Sequence, residues 1–222
     1  MDITYLGHSS FKLRGKDGTV VTDPFEPDSV GLSWNKVKTD IVTVSHQHQD
    51  HNYTKGVEPT SARKDQGVYN ISGPGEYEVS DILIQGWLTY HDNQLGSQRG
   101  PNIIYLIEIE RIRILHCGDL GHELAENLIE EIGQVDAMLI PVGGHFTIDA
   151  ATAAKITKAV SPSIVIPMHY QVPGLNSQIS EHLAGPESFV KEMGAEGIEP
   201  LEKLSVSPST LPEDTQVVVL NI

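Results

Sequence analysis

Cysteine and positive charge are scarce in this chain of 222 residues. Cys117 is its one cysteine, so neither a disulfide framework nor a CxxC zinc knuckle can form. Lys and Arg number 15 against 30 Asp and Glu, which gives a formal net charge of −15. A negative surface of that size repels phosphate backbones and anionic lipid. We therefore expect no nucleic-acid partner and no membrane partner.

Long apolar runs are also missing. No segment approaches the roughly 20 apolar residues that cross a bilayer. The opening "MDITYLGHSSF" has neither the basic start nor the apolar stretch of a secretion signal. These two absences predict a soluble, cytoplasmic protein. The 39% apolar content and the lack of a linker-like stretch predict one globular domain over residues 1–222.

Short strands dominate the first half of the chain. "ITYLG", "SFKLR" and "TVVTD" are β-branched or aromatic runs separated by turn residues, which predicts a meander. A turn is expected at "GPGEYE", and "NIIYLIEIERIRILHCGD" predicts two strands around a turn at Glu110 and Arg111. "VDAMLIPV", "SIVIPMHY" and the closing "TQVVVLNI" are predicted as later strands.

Helical periodicity appears only after Asp119. Leu124, Leu128 and Ile132 recur every four residues and predict a helix over 122–133, which ends at a glycine. A second helix is predicted over 149–160 with Asp149 as its N-cap, and a third over 186–194. The alternation of strands and helices predicts an α/β fold with two sheets.

The most unusual segment is "VSHQHQDH", which follows a strongly apolar strand. Side chains at alternate positions of an extended chain point the same way, so His46, His48 and Asp50 can project together, and His51 can join them at the turn. Imidazole and carboxylate groups suit zinc and similar divalent ions. The alternative is an exposed polar loop, which rarely follows such an apolar strand.

Three more residues of the same chemical types stand at predicted strand ends. These are His91 in "TYHD", Asp119 in "HCGD" and His169 in "IPMH". A single histidine in such a place is usually structural. Three of them together with the histidine cluster predict a metal site, because open α/β sheets place their sites at the carboxyl ends of strands.

The order H-x-H-x-D-H, then His, Asp and His, resembles the metallo-β-lactamase superfamily. "YLGHSSF", "TDPF", "SGPGEYEV", "HCGDLGH", "PVGG" and "PMHY" are similar to its small metal-dependent hydrolases, relatives of the ascorbate-6-phosphate lactonase and N-acylphosphatidylethanolamine phospholipase D branches. The resemblance runs from Ile3 to about Tyr170. It implies a four-layer αβ/βα sandwich, in which two mixed β-sheets pack together with helices outside.

The resemblance also implies two divalent metal ions, with zinc expected first and manganese, iron or nickel as alternatives. The ligands it implies are His46, His48 and His91 for the first ion, Asp50, His51 and His169 for the second, and Asp119 as the bridge. His116 and His122 flank Asp119 and are the alternatives to His91. Asp23 in "TDPF" is expected to hold a ligand histidine.

The implied chemistry is hydrolysis of an ester, lactone or phosphodiester bond in a small, anionic or polarised substrate, by a hydroxide that bridges the metals. Asp50 would both bind metal and orient that nucleophile. His8 and His145 are further catalytic candidates, as substrate contacts or, for His145, as a proton donor. The alternatives are a core hydrogen bond for His8 and an exposed loop for His145. His182 and Cys117 are interpreted as structural.

A metal-binding or regulatory module without turnover is the alternative function. The full set of expected ligands favours an enzyme. The loops 26–38, 53–66, 93–101 and 171–185 are expected to shape the pocket, and Trp34 and Trp87 either line it or pack elsewhere.

Overall fold

The computed structural model describes residues 1–222. Its strands are β1 (Asp2–Gly7), β2 (Ser10–Arg14), β3 (Thr19–Thr22), β4 (Val37–Thr39), β5 (Ile41–Thr43), β6 (Val57–Pro59), β7 (Tyr69–Ile71), β8 (Gly75–Val79), β9 (Ile82–Tyr90), β10 (Pro101–Ile109), β11 (Ile112–His116), β12 (Ala137–Pro141), β13 (Ile164–Met168), β14 (Leu204–Ser205) and β15 (Gln216–Val217). The α-helices are α1 (Pro27–Val30), α2 (Glu126–Ile132), α3 (Ala150–Val160), α4 (Ser177–Ser180) and α5 (Glu187–Glu192).

Two mixed sheets form the body of the fold, as predicted. The first has the order β14-β1-β2-β3-β5-β7, and the second has the order β15-β13-β12-β11-β10-β9-β8. In each sheet an antiparallel part gives way to parallel strands, from β3 to β7 in the first sheet and from β11 to β15 in the second. The parallel strands of each sheet therefore end at one edge, where open α/β sheets place their sites.

The core lies between the sheets. One cluster of 40 buried apolar residues includes Phe11 and Ile41 from the first sheet and Ile104 and Leu139 from the second. Phe189 of α5 belongs to the same cluster, and α3 packs beside α5 on the outer face of the second sheet. The outer face of the first sheet is covered more thinly, by the small β4–β6 sheet and short turns.

Several sequence predictions are confirmed locally. The strands β1, β2 and β3 form the expected antiparallel meander. Glu110 and Arg111 form the tight turn between β10 and β11, both with positive φ (53° and 64°). The carboxylate of Asp149 caps α3 by accepting a hydrogen bond from the backbone N–H of Thr152 at 2.8 Å.

Three other predictions need correction. The first long helix begins at Glu126, not at residue 122, and Leu124 is buried in the segment before it. The segment "GPGEYE" contains strand β8 and not only a turn. In the closing segment only Gln216 and Val217 pair as a strand, because the chain then passes to an isolated bridge between Leu201 and Leu220.

Every helix is too short or too polar to traverse a lipid bilayer.

Candidate metal centre

Five chain segments deliver ionisable side chains to one edge of the two sheets. The motif His46–His51 follows β5, and His8 follows β1. From the second sheet, His91 follows β9, Asp119 follows β11 and His169 follows β13. The predicted residues are thus brought together from both sheets, although more than 100 residues separate the motif from His169.

The buried carboxylate of Asp119 lies at the centre of this group. Its Oδ2 atom is 3.1 Å from Nε2 of His91, 3.2 Å from Nε2 of His51 and 3.3 Å from Nε2 of His169. Nε2 of His46 is 3.9 Å away. Asp119 is fixed from behind, because its backbone N–H donates to Oδ1 of Asn102 at 2.9 Å.

The potential ligand atoms form three groups, within each of which they lie no more than 4.8 Å from one another; Asp23, His46 and His51 form one, and the remaining two contain the predicted ligands. One group consists of His46, His48 and His91. The other group consists of His8, Asp50, His51 and His169. Asp119 touches members of both, so the geometry divides the residues as the resemblance implies and adds His8 to the second group.

His51 supplies a direct test of whether a cation fits. Its Nδ1–H donates to Oδ2 of Asp23 at 2.9 Å, so its Nε2 atom carries a lone pair. That Nε2 atom is buried without a hydrogen-bond partner and lies 3.2 Å from Asp119 and 3.6 Å from Asp50. A lone pair facing two carboxylates is unfavourable, so this point requires positive charge at Nε2, which either a proton or a metal ion supplies. The site therefore fits a divalent metal ion.

Asp23 and Ser45 set the proton positions behind the histidines. Oδ1 of Asp23 accepts from the backbone N–H of Ser45 at 2.7 Å, and Oδ2 accepts from the Ser45 hydroxyl at 2.5 Å. The hydroxyl has one proton, so it can only accept from Nδ1–H of His46, 2.9 Å away. This arrangement leaves the lone pair of His46 on Nε2, which faces Nδ1 of His48 at 2.9 Å. The contact predicted between Asp23 and a motif histidine is present.

The electrostatics of the cluster agree with this assignment. Burial lowers the pKa of His46 to about 3, and the neighbouring His51 adds to the shift. Burial acts to raise the pKa of Asp119, but the neighbouring His169, His51 and His91 hold it well below its usual value. Burial likewise opposes a charge on His51, but Asp119 and Asp50 raise its pKa well above normal. The two carboxylates thus attract positive charge to this point.

Neither His116 nor His122 belongs to the cluster. Nε2–H of His116 donates to the backbone oxygen of Ser9 at 2.8 Å. Both ring nitrogens of His122 are used: Nδ1–H donates to the oxygen of Glu123, and Nε2 accepts from the backbone N–H of Tyr90. Of the three alternatives, the structure brings His91 to Asp119.

The remaining candidate histidines differ in position. His8 is buried in the site, where Nε2 is 3.1 Å from Oδ2 of Asp50, and burial lowers its pKa to about 4. His145 is exposed, and its ring stacks on that of His182 with centroids 4.4 Å apart. It lies outside the cavity lining, so its catalytic role stays a prediction. Cys117 is fully buried, in agreement with a structural role.

A cavity of about 360 Å³ opens over the cluster. Its lining consists of His8, His48, Asp50, His91, Gln98, Arg99, Asp119, Phe146, His169 and Ile179. Gln98, Arg99 and Ile179 come from loops 93–101 and 171–185, as expected, but sequence reasoning did not single them out. Loops 26–38 and 53–66 contribute no lining residue.

Both tryptophans pack outside the cavity. Trp34 packs on Phe25 and donates to the backbone oxygen of Gly56. Trp87 donates to the carboxylate of Glu131 at 2.7 Å. Neither ring contributes to the lining of the candidate site.

Two glycines allow the ligand-bearing segments to approach closely. A Cβ atom on Gly143 would lie 2.2 Å from the backbone oxygen of His169. A Cβ atom on Gly121 would lie 2.3 Å from the carbonyl carbon of His91. Both contacts are with backbone atoms, so a larger residue must displace the histidine. These contacts give a physical reason for glycine in the "PVGG" and "HCGDLGH" motifs.

Comparison with known proteins agrees with the fold and with a metal-dependent hydrolase. Residues 2–169 match the family model described as the β-lactamase superfamily domain. A UPF0173 metal-dependent hydrolase of Staphylothermus marinus is 32% identical over 213 residues, covering 85% of this chain and 89% of the relative. A proposed Zn-dependent hydrolase from Thermotoga maritima has a crystal structure with a TM-score of 0.76, 30% identity and full coverage of both chains. The structure of Igni18, a metallo hydrolase from Ignicoccus hospitalis, shares the fold at 24% identity, with a TM-score of 0.65 and coverage of 91% and 97%.

This chain therefore belongs to the metallo-β-lactamase superfamily and, within it, to the UPF0173 family of metal-dependent hydrolases.

Replacing Gly143 by alanine should lower the metal content of the purified protein, because the new methyl group must push His169 away from Asp119. Elemental analysis after purification without chelator measures this. Gly73→Ala is the matched control, since its Cβ would meet no atom closer than 3.5 Å. Equal metal content in both variants would contradict the proposed packing constraint.

Asp23→Asn should weaken metal binding by about 10- to 100-fold, because one amide oxygen replaces the two oxygens that accept three hydrogen bonds, and the NH2 group must face either the Ser45 backbone N–H or Nδ1–H of His51. Competition with a fluorescent chelator measures the affinity. Asp81→Asn, in the turn between β8 and β9, removes the same charge far from the site and should retain wild-type affinity. An unchanged affinity in Asp23→Asn would show that His51 needs no orienting carboxylate.

Proposed function

We propose that this protein is a binuclear metal-dependent hydrolase that cleaves an ester, lactone or phosphodiester bond of a small molecule. The observation that carries the proposal is the buried, unpartnered Nε2 atom of His51, which faces Asp119 and Asp50. Zinc is the expected metal, because the donor set is imidazole and carboxylate. A cytoplasmic location accompanies this proposal as an expectation from sequence.

The proposed ligands follow the two groups described above. The first ion would be held by His46, His48 and His91, the second by Asp50, His51 and His169, and Asp119 would contact both. When bound, such ions polarise a substrate oxygen and lower the pKa of water towards about 7.

Asp50 is the carboxylate placed to handle the attacking water. Its side chain is 26% exposed and lines the cavity, whereas that of Asp119 is 2% exposed. Nε2–H of His8 donates to Oδ2 of Asp50 at 3.1 Å and holds the carboxylate in place. Asp50 would orient the water and accept its proton, and His8 would position Asp50.

The cavity favours a small substrate and favours turnover over simple metal storage. Its volume of about 360 Å³ lies in the range of small-molecule sites. His48 and Asp50 line it directly, so a substrate can reach the proposed metal position. A storage or regulatory module needs no such access.

Protein purified without chelator should contain close to two metal equivalents. It should hydrolyse at least one of p-nitrophenyl butyrate, a γ-lactone and bis(p-nitrophenyl) phosphate. Dialysis against a chelator should abolish this activity, and zinc or manganese should restore it. A metal-loaded, folded sample that turns over no member of the three substrate classes would overturn the hydrolase proposal in favour of the metal-binding module.

His48→Ala should lower both metal content and kcat/KM, the latter by about 100-fold or more, because the first ion loses a ligand and its Lewis acidity with it. Gln49→Ala is the matched control. Its side chain is exposed, makes no hydrogen bond and follows His48 directly on the chain. Metal analysis and initial rates on one preparation of each variant separate loss of metal from loss of chemistry. A wild-type kcat/KM in His48→Ala would show that His48 is not a metal ligand of the active site.

A further inference from the structure

One residue of the cavity lining carries a permanent positive charge, and its role is not explained by the metal centre. Arg99 is the one Lys or Arg among the ten lining residues. Its guanidinium group forms no ion pair and no hydrogen bond with the rest of the chain, although Asp50 and Asp119 line the same cavity. An arginine that served to neutralise these carboxylates would pair with one of them.

The loop that carries Arg99 is held rigidly beside His91. The buried carboxylate of Asp92 accepts four backbone hydrogen bonds of 2.8–2.9 Å, from the N–H groups of Gln94, Gly96, Gln98 and Arg99. The loop is closed by a hydrogen bond from the N–H of His91 to the oxygen of Gly100. The backbone at Arg99 is therefore fixed before any ligand binds, which lowers the entropy cost of binding.

The guanidinium group lies near the ring of Phe146, another residue of the cavity lining. Its Cζ atom lies 5.8 Å from the centroid of the Phe146 ring, a cation–π distance. The Phe146 ring in turn lies 6.4 Å from the ring of His169. A guanidinium group that rests on an aromatic face keeps the N–H groups of its edge free for a planar, bidentate acceptor.

We propose that Arg99 determines substrate specificity by binding an oxyanion group, carboxylate or phosphate, that lies outside the bond to be cleaved. The inference rests on the proposed hydrolase function and adds the class of substrate to it. An anionic molecule approaching a protein of net charge −15 meets overall repulsion, so recognition needs a local cation. Arg99 supplies that cation at the cavity wall, next to the residues that would hold the second ion.

Equilibrium binding separates this role from catalysis. Isothermal titration of the metal-loaded protein with glutarate and with butyrate compares a probe with two carboxylates and a probe of similar length with one. Wild type should bind glutarate about 10- to 100-fold more tightly than butyrate, the value of a charge-assisted bidentate contact. Arg99→Met should reduce that ratio to about one, and Arg99→Lys should give an intermediate ratio.

The matched control is Arg111→Met, which removes the same charge from an exposed turn at the opposite end of β11 from Asp119. It should keep the wild-type ratio. Titration with 4-phosphonobutyrate in place of glutarate shows whether phosphate or carboxylate is the preferred oxyanion. Equal ratios in wild type, Arg99→Met and Arg111→Met would overturn the proposal. Because Arg99→Lys keeps the charge and most of the packing, it covers the case in which Arg99→Met does not fold.

Kinetics then distinguish a failure of this inference from a failure of the hydrolase proposal. Arg99→Met should raise KM for the p-nitrophenyl monoester of glutarate by about 10-fold or more, with little change in kcat and no change for neutral p-nitrophenyl butyrate. Equal losses on both esters would overturn the specificity role. If wild type turns over neither ester nor the γ-lactone and phosphodiester probes, but its preference for glutarate depends on Arg99, the anion site stands and the hydrolase proposal fails.

Discussion

Nearly everything at the edge of the two sheets is arranged around the carboxylate of Asp119. Ring nitrogens of three histidines lie within 3.3 Å of its Oδ2 atom, and the neutral ring of His51, whose Nδ1–H is bound to Asp23, would face it with a lone pair. Packing anions and lone pairs this closely in a buried place costs free energy unless a cation joins them. The fold therefore holds the cluster in a form that a metal ion stabilises. The orienting role of Asp23 and Ser45 follows from the same need, since they keep the Nδ1 protons of His51 and His46 on the side away from the centre.

Bringing such a cluster together constrains the backbone as strongly as the side chains. His8, Asp23 and His169 all have positive φ, between 38° and 56°, a conformation that non-glycine residues seldom adopt. The backbone N–H of His169 donates to the oxygen of His8 at 2.8 Å, so two of these strained segments hold each other. The strain is tolerated because the segments are anchored by strands β1, β3 and β13, whose apolar residues lie in the large core. Stability in the core thus supports an unfavourable geometry at the site.

The sequence predicts which ionisable residues come together at this edge, because their signal is local. The alternation in "HQHQDH" and the strand ends before His91, Asp119 and His169 need only short-range geometry. The start of α2 was predicted wrongly for the opposite reason. Residues 122–125 belong to the predicted helical period, but the backbone N–H of Gly121 donates to the backbone oxygen of Tyr90, and Nε2 of His122 accepts from the N–H of Tyr90. These long-range hydrogen bonds fix the chain beside His91 and outweigh local helix propensity. Sequence reasoning also missed Arg99, because its place in the cavity lining depends on the loop that the Asp92 carboxylate holds together.

The net charge of the protein affects how a ligand approaches, whereas the charges inside the cavity affect how it binds. Fields from surface charges are screened within about 8 Å at physiological ionic strength, so a net charge of −15 affects encounter more than it affects a bound ligand. It favours the approach of divalent cations and opposes the approach of anions. Inside the cavity the balance would reverse with metal bound, because the proposed ions would outweigh Asp50 and Asp119, and Arg99 adds a charge that no carboxylate neutralises. Selection among anions must then depend on contacts within the cavity, where one guanidinium group and the metal centre can hold two ends of the same molecule.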